Sequence, residues 1–375
     1  MMRVLFAGGG TGGHVYPALA IAEALGPAET LFVGSRRGIE ERIVRSAGME
    51  YHGLEVEGFH RRPTLKNLLF PLRTLGAFIA SVRLVGAFRP QVVVGTGGFA
   101  SGPPVLAAQL RGITTVLQEQ NAHPGATTRL LARSATEIHV AFREAIEKLP
   151  ETARQRVQIS GNPVRGSLAS GTRSTAEARA AFGGLDPDRP TLVVLGGSQG
   201  SRRLNRSVAA LLTSSRDRAY QVLWSAGRAL YDEVRADLGE NVDAPGVVVL
   251  PYVDDMAAAY GAADLVLCRA GAITCAELAL VGRPALFVPL ASAAGNHQHH
   301  NASAFAAAGA AEIIPESALL DPRAGGDTLG ESLDRLFADS TGLATMARAS
   351  ASLGRPDAAR VIAGRVRTLI EGGRS

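Results

Sequence analysis

The strongest constraint on this chain is the stretch Gly8-Gly9-Gly10-Thr11-Gly12-Gly13-His14. An apolar run, Val4-Leu5-Phe6-Ala7, precedes it, and Pro17-Ala18-Leu19-Ala20-Ile21-Ala22 follows as a helix start. A strand, a glycine loop and a helix in this order aim backbone N–H groups and a positive helix end at one point, which suits a negative ligand. Glycine is needed because it accepts positive φ and lets a ligand come close to the backbone. Gly8, Gly10 and Gly13 also fit the dinucleotide fingerprint G-x-G-x-x-G. That fingerprint expects an acid at the end of the next strand, where this chain instead has Gly34-Ser35-Arg36-Arg37. Two arginines would suit a ribose phosphate, so an NADP oxidoreductase stays open on this loop alone.

Two further loops of the same kind point elsewhere. Val92-Val93-Val94 runs into Gly95-Thr96-Gly97-Gly98, and Leu192-Val193-Val194-Leu195 runs into Gly196-Gly197-Ser198-Gln199-Gly200. One glycine loop is explained by a tight turn. Three, spread over both halves of a chain, predict polar ligands held between two facing domains.

The length of 375 residues corresponds to two or three domains of roughly 150 residues each. An apolar content of 46% is ample for packed cores. Strand and helix patterns alternate throughout: strands are expected at 3–7, 29–34, 51–56, 91–95, 113–117, 136–140 and 157–160, with helices at 17–25, 38–47, 102–111 and 124–132. This alternation predicts parallel sheets with helices on their faces. A polar stretch, Gly166-Ser167-Leu168-Ala169-Ser170-Gly171, reads as a linker, and strands near 191–195, 220–224, 246–250, 263–267 and 284–288 repeat the plan. The expected organisation is therefore a first domain over 1–165, a second over 166–345, and C-terminal helices over 346–375 whose last member packs back on the first domain.

Cys268 and Cys275 make no disulfide framework and read as free thiols of a reducing compartment. The first residues lack a signal-peptide pattern, and no apolar run approaches the roughly 20 residues of a bilayer span. A cytosolic protein that still touches a membrane fits both observations. The net charge of +5 is uneven: residues 1–165 hold 19 Lys and Arg against 12 Asp and Glu, and the rest hold 20 against 22. A basic first half suits an anionic surface or substrate. Nucleic acid is not indicated, because the positive charge is scattered and aromatic residues are only 5%.

Residues 64–88 stand apart. Leu65, Leu68, Leu69, Leu72, Leu75, Ile79 and Val82 recur at helical spacing, edged by Arg61, Arg62, Lys66, Arg73, Arg83 and Arg89. Such a stripe either faces the core or dips into a membrane surface while the cations meet anionic headgroups. Phe70 and Phe78 are surplus to a single buried stripe.

Several residues carry candidate chemistry. His14 begins a helix beside the first loop, where an imidazole can serve as a general base near neutral pH. Leu117-Gln118-Glu119-Gln120-Asn121 ends a strand, the place where open α/β sheets bind ligands. The segment Arg269 to Glu277 again leaves a strand for a helix, and Glu277 can accept hydrogen bonds from two sugar hydroxyls. Asn296-His297-Gln298-His299-His300-Asn301 looks superficially like a metal cluster. A helix would spread those side chains apart, so reading sugar hydroxyls suits them better. The adjacent Asp254 and Asp255 read as a helix N-cap ahead of Met256.

Taken together, Gly9 to His14, Gly97 to Pro103, Glu119-Gln120-Asn121, Gly161-Asn162-Pro163-Val164-Arg165, Gly196 to Gly200 and the 268–277 segment resemble the MurG family of peptidoglycan glycosyltransferases along the whole chain. The resemblance implies a glycosyltransferase-B fold of two Rossmann-like domains with an interdomain cleft. It also implies inverting transfer of GlcNAc from UDP-GlcNAc to the 4-hydroxyl of MurNAc in lipid I, giving lipid II, without metal or cofactor. By similarity Val253 meets the uracil, Glu277 the ribose, Ser198 the diphosphate, and Ala272, Ile273 and Thr274 the sugar and phosphates. Gln298 reads GlcNAc hydroxyls, while Thr11, Gly12, Gly13 and Asn121, with Arg165, close on the donor sugar. His14 is the expected base, with Glu119 the second choice. Leu68, Leu69, Leu72, Leu75, Phe78 and Ile79 are the expected membrane contacts. The implied partners are UDP-GlcNAc, lipid I and anionic lipid of the inner membrane, with the protein peripheral on its cytoplasmic face.

Overall fold

The computed structural model describes residues 2–36, 38–56, 70–164, 168, 174–197, 200–214, 217–319 and 329–373. The chain forms two units, Met1–Arg165 with Arg355–Ser375, and Gly166–Gly354.

The first unit is built on seven parallel strands: β1 (Arg3–Ala7), β2 (Glu29–Ser35), β3 (Glu50–Leu54), β4 (Val92–Gly95), β5 (Thr114–Glu119), β6 (Glu137–Val140) and β7 (Val157–Ile159). Their order is β3-β2-β1-β4-β5-β6-β7. Phe6 of β1 lies opposite Phe32 on one side and Val94 on the other. The order therefore reverses between β1 and β4, and the crevice beyond their C-terminal ends is where such sheets bind ligands. Val4 and Phe6 face one core cluster, Leu5 and Ala7 the other. Both faces are covered, which is why β1 reads as a continuous apolar run rather than an alternating one.

Helices α1 (Gly12–Leu25), α2 (Glu40–Ser46), α3 (Phe70–Phe88), α4 (Gly102–Leu110) and α5 (Ala126–Leu131) cover this sheet. Helix α1 starts five residues before the expected position, because Thr11 is extended and Gly12 already turns helical. Pro17 consequently lies inside the helix and removes one backbone hydrogen bond. In α3 the buried line is Ala77, Ser81 and Val85, while Leu72, Leu75 and Ile79 are 66%, 55% and 45% exposed. The leucine stripe is thus not the core-facing one. At 19 residues and a mean hydropathy of 1.2, α3 is long and apolar enough to cross a membrane by length and composition. This corrects the expectation that no stretch approaches that length. Its buried line and its contact with α4 are those of a helix packed on a sheet.

The second unit repeats the plan with β8 (Thr191–Leu195), β9 (Gln221–Ser225), β10 (Val247–Leu250), β11 (Leu265–Cys268), β12 (Ala285–Phe287) and β13 (Ala311–Ile313), in the parallel order β10-β9-β8-β11-β12-β13. Its switch point falls between β8 and β11. The described helices are α6 (Thr175–Ala180), α7 (Arg202–Ser214), α8 (Tyr231–Leu238), α9 (Met256–Ala262), α10 (Ala272–Val281), α11 (His297–Ala307), α12 (Leu329–Ala338) and α13 (Ser340–Ser352). Asp255 caps α9 by accepting from Ala258 N–H. Helix α13 stays with this unit, where Ser350 donates to the Leu278 carbonyl of α10.

The last helix, α14 (Ala358–Gly372), belongs to the first unit. Its Ile362, Ala363, Val366 and Ile370 are buried in one cluster with Val4 and Phe6. Arg365 holds the Glu137 carboxylate at 2.9 Å, and Arg367 donates to the carbonyls of Ala24 and Leu25 at the end of α1. A cation on those terminal carbonyls also meets the negative end of the helix.

Candidate active site

Each unit presents one set of candidate residues at its switch point. In the first, the loop after β1 leads through exposed Thr11 into Gly12, Gly13 and half-buried His14 in the first turn of α1. The loop after β4 closes against it. Gly97 and Gly98 have φ of 92° and 77°, and a Cβ on Gly98 would stand 2.0 Å from the Gly9 carbonyl oxygen. Only glycine fits there. Thr96 Oγ1 donates to the His14 carbonyl at 2.7 Å, tying the two loops together.

The His14 ring is held from one side. Its Nδ1 lies 2.9 Å from Gln120 Oε1 and 3.1 Å from the Thr96 carbonyl oxygen. Both neighbours are acceptors, so Nδ1 carries the proton in the neutral ring and Nε2 keeps the lone pair. A base needs that arrangement. Glu119, the other candidate base, is buried with both oxygens engaged: Oε1 accepts from the backbone and side-chain N–H groups of Asn121, and Oε2 from Gly125 N–H, each at 3.1 Å. It braces the loop that carries Asn121.

Glu40 escaped the sequence reading. It opens α2, is fully buried, and its Oε1 accepts from Gly10 N–H at 3.2 Å and Ser35 N–H at 3.0 Å. A buried glutamate needs such partners. The fingerprint places its acid at the end of β2, whereas this one comes five residues after Ser35 and binds the loop. The signal available was an acid at the start of a helix beside a glycine loop, which reads equally well as a helix-dipole contact.

In the second unit, the loop after β8 has Gly197 and Gly200 at φ of 86° and 73° and leads into α7. After β11, Gly271 is the N-cap of α10, whose first turn holds Ala272, Ile273 and Thr274. Their N–H groups and the helix end suit a phosphate. Glu277, one turn on, accepts from buried Tyr260 Oη–H at 2.8 Å. Burial, together with the neighbouring Glu277, pushes the Tyr260 phenol well above its ordinary range, so it remains a donor. Arg269 joins the loops by donating to Ser201 Oγ at 2.6 Å and to the Glu316 carboxylate. Asn301 of α11 donates to the Ala270 carbonyl. Gln298 Oε1 accepts from Leu290 N–H at 2.9 Å, which orients its amide nitrogen as a donor. Val253 is buried after β10, next to Tyr252, whose ring stacks under Arg228. Arg165, Ser198, Leu68 and Leu69 lie outside the described residues. Among the described residues no group of three His, Cys, Asp or Glu forms a metal cluster.

The loops and sheets at both switch points fall within two matching family descriptions, a glycosyltransferase family 28 N-terminal domain over residues 4–140 and a C-terminal domain of the same family over 191–362. This chain belongs to glycosyltransferase family 28. It is 43% identical over 366 residues, 95% of each chain, to the UDP-N-acetylglucosamine–N-acetylmuramyl-(pentapeptide) pyrophosphoryl-undecaprenol N-acetylglucosamine transferase of Desulforudis audaxviator. Among solved structures it resembles Acinetobacter baumannii MurG, with 28% identity, a TM-score of 0.76, and coverage of 98% of this chain and 100% of that one. A UDP-GlcNAc 2-epimerase from Neisseria meningitidis, 15% identical with a TM-score of 0.65, covers 99% of this chain and 100% of its own and shares the fold alone. The family 28 chain therefore has the glycosyltransferase-B fold, and the NADP reading of its first loop falls.

Proposed function

We infer that this protein transfers GlcNAc from UDP-GlcNAc to the 4-hydroxyl of MurNAc in lipid I, with inversion, giving lipid II and UDP for the cell wall. The observation that carries this reading is the identity of 43% to a transferase of that name, sustained over 95% of both chains. Inverting transfer is an in-line displacement at the anomeric carbon. It needs a base on the attacking hydroxyl and stabilisation of the departing diphosphate. His14 Nε2 is the base, because Nδ1 is committed to Gln120 and Thr96. Glu119 is a poorer choice, since Asn121 and Gly125 already occupy its oxygens.

The second unit binds the donor. Glu277, held by Tyr260, takes the ribose hydroxyls; the first turn of α10 and the loop with Ser198 take the diphosphate; Val253 meets the uracil and Gln298 the GlcNAc hydroxyls. Thr11, Gly12, Gly13, Asn121 and Arg165 serve the sugar from the first unit.

The protein works peripherally, on the cytoplasmic face of the inner membrane, with anionic lipid as partner. Supporting this are the exposed Leu72, Leu75 and Ile79 of α3, together with exposed Leu110 and Leu130 on α4 and α5. Leu130 lines a pocket of about 380 Å³ together with the cations Arg129, Arg133 and Lys148. Phe78 packs partly against the core and contributes less.

The test is UDP release from UDP-GlcNAc with and without a short-chain lipid I analogue. Release that depends on the analogue and yields a disaccharide supports the reading; release without acceptor, or UDP-ManNAc as product, overturns it. His14→Ala is expected to lower turnover by about 10²–10⁴-fold with both substrates bound. Near-normal turnover in that variant removes His14 as base. Co-sedimentation with anionic rather than zwitterionic vesicles tests the membrane contact.

A further inference from the structure

The group that orients His14 is itself held by a chain of buried amides. Gln120 is 1% exposed, Gln118 0% and Asn162 4%, so water does not substitute for any member. The Gln120 amide nitrogen donates to the Thr96 carbonyl at 2.7 Å, to the Gln118 carbonyl at 3.1 Å, and to Gln118 Oε1. A flipped Gln120 amide would set its oxygen against three oxygens with no hydrogen between them, at the cost of several buried hydrogen bonds. Its oxygen must therefore face His14 Nδ1. Gln118 is fixed in the same way, because its nitrogen donates to Asn162 Oδ1 at 3.0 Å. Asn162 closes the ring by donating from Nδ2 to the Gln120 carbonyl at 3.0 Å.

We propose that Gln120 is a positioning residue for the transfer: oriented by Gln118 and Asn162, it fixes His14 as the Nδ1–H tautomer with Nε2 free to take the acceptor proton. This rests on His14 being the base, as argued above. Gln120 touches neither substrate in this role; it acts through the ring. Thr96 supplies a second acceptor to the same nitrogen, so loss of Gln120 weakens the tautomer preference without abolishing it.

The test reads the ring directly. In protein labelled with 15N-histidine, with the His14 signals assigned by comparison with His14→Ala, the neutral ring should show a protonated Nδ1 and an unprotonated Nε2. Gln120→Met should shift these signals toward tautomer exchange and lower kcat by about 10–100-fold, the range for residues that orient a functional imidazole. KM for UDP-GlcNAc should stay within about two-fold of wild type, since nothing at the donor site changes. An unprotonated Nδ1 in the wild-type protein overturns the proposal, and that spectrum decides even if the variant does not fold. The proposal also fails if Gln120→Met leaves the ring signals unchanged, whether its kcat is normal or falls together with donor binding. Near-normal turnover in His14→Ala would instead defeat the base assignment, while the ring spectrum would still report whether Gln120 sets the tautomer.

Discussion

The two glycine loops at the two switch points share a strand–loop–helix plan and differ in what fills them. In the first unit the loop is closed by the protein itself: Glu40 accepts from Gly10 N–H, and Gly98 lies so near Gly9 that a Cβ there would clash at 2.0 Å. In the second, Gly197 has φ of 86° and, among the described residues, no atom within 4 Å of where a Cβ would stand, although a Cβ on Gly200 would lie 2.4 Å from the Ala226 carbonyl oxygen. Among the described residues no carboxylate accepts from the backbone of Gly196, Gly197 or Gly200. The difference is one of charge. An anion approaching Gly10 meets a carboxylate already in place, whereas one approaching the second loop meets the N-terminus of α7. The same motif is a pedestal for His14 in one unit and the proposed diphosphate cradle in the other. Total charge misleads here, since the more basic half of the chain carries the carboxylate-filled loop.

The largest effect should come from Gly98→Ala. It combines the clash at Gly9 with a positive φ, so the loop must move, and His14 moves with it. Loss of several kcal/mol of stability, by analogy with overpacked cores, and of most turnover is expected in thermal melts and the UDP-release assay. A variant with a wild-type Tm would show that the first loop does not depend on the close approach of Gly98 to Gly9.

Acid should separate the units next. His139 is buried in the first unit, with Nδ1 2.7 Å from Ser160 Oγ and Nε2 within 3.0 Å of Glu137 but not aligned to hydrogen-bond to it. Burial, reinforced by Arg365 and opposed by Glu137, pushes its pKa down to about 4 from 6.5. The folded value lies below the unfolded one, so the unfolded chain binds more protons between these limits. Stability is then complete above about pH 6.5 and falls as the pH drops toward 4, by roughly 3 kcal/mol at most. In the second unit, Glu312 and half-buried Glu233 are held below the ordinary carboxylate range, mainly by hydrogen bonds from Arg335 and Arg202. Urea titrations from pH 7 to 4.5, followed by hydrogen exchange, should show the first unit weakening while the second holds. Simultaneous loss would break the contrast.

Glu40→Ala removes the acceptor of the exposed Gly10 N–H and leaves the Ser35 N–H unpaired in a buried site. A loss of about 1–3 kcal/mol is expected, measured by chemical denaturation, together with reduced turnover because His14 stands on that loop. The smallest change in stability belongs to Gly197→Ala, about 1–2 kcal/mol for the left-handed backbone. Its effect should appear in donor affinity, as a raised Kd for UDP in calorimetry, if this loop takes the diphosphate as proposed above. Unchanged UDP affinity would argue that the second loop is no cradle.

Much of this protein was legible before any coordinates. The glycine loops, the strand and helix alternation, the N-cap at the Asp254–Asp255 pair and the helical stripe over its described part, 70–88, are local properties, written in neighbouring residues and in the φ angles only glycine accepts readily. What the sequence could not disclose depends on residues distant along the chain. Glu40 reaches back 30 positions to Gly10, Gln120 meets His14 across 106, and Arg365 reaches Glu137 across 228. The exposure of Leu72, Leu75 and Ile79 was undecidable for a related reason: one helical period fits a core face and an outer face equally well, and only the packing of Ala77, Ser81 and Val85 on the sheet chose between them. Local sequence determined the elements and the loops; tertiary packing decided which loop is filled, which nitrogen of His14 is free and which side of α3 meets the surroundings, because those are matters of proximity in space.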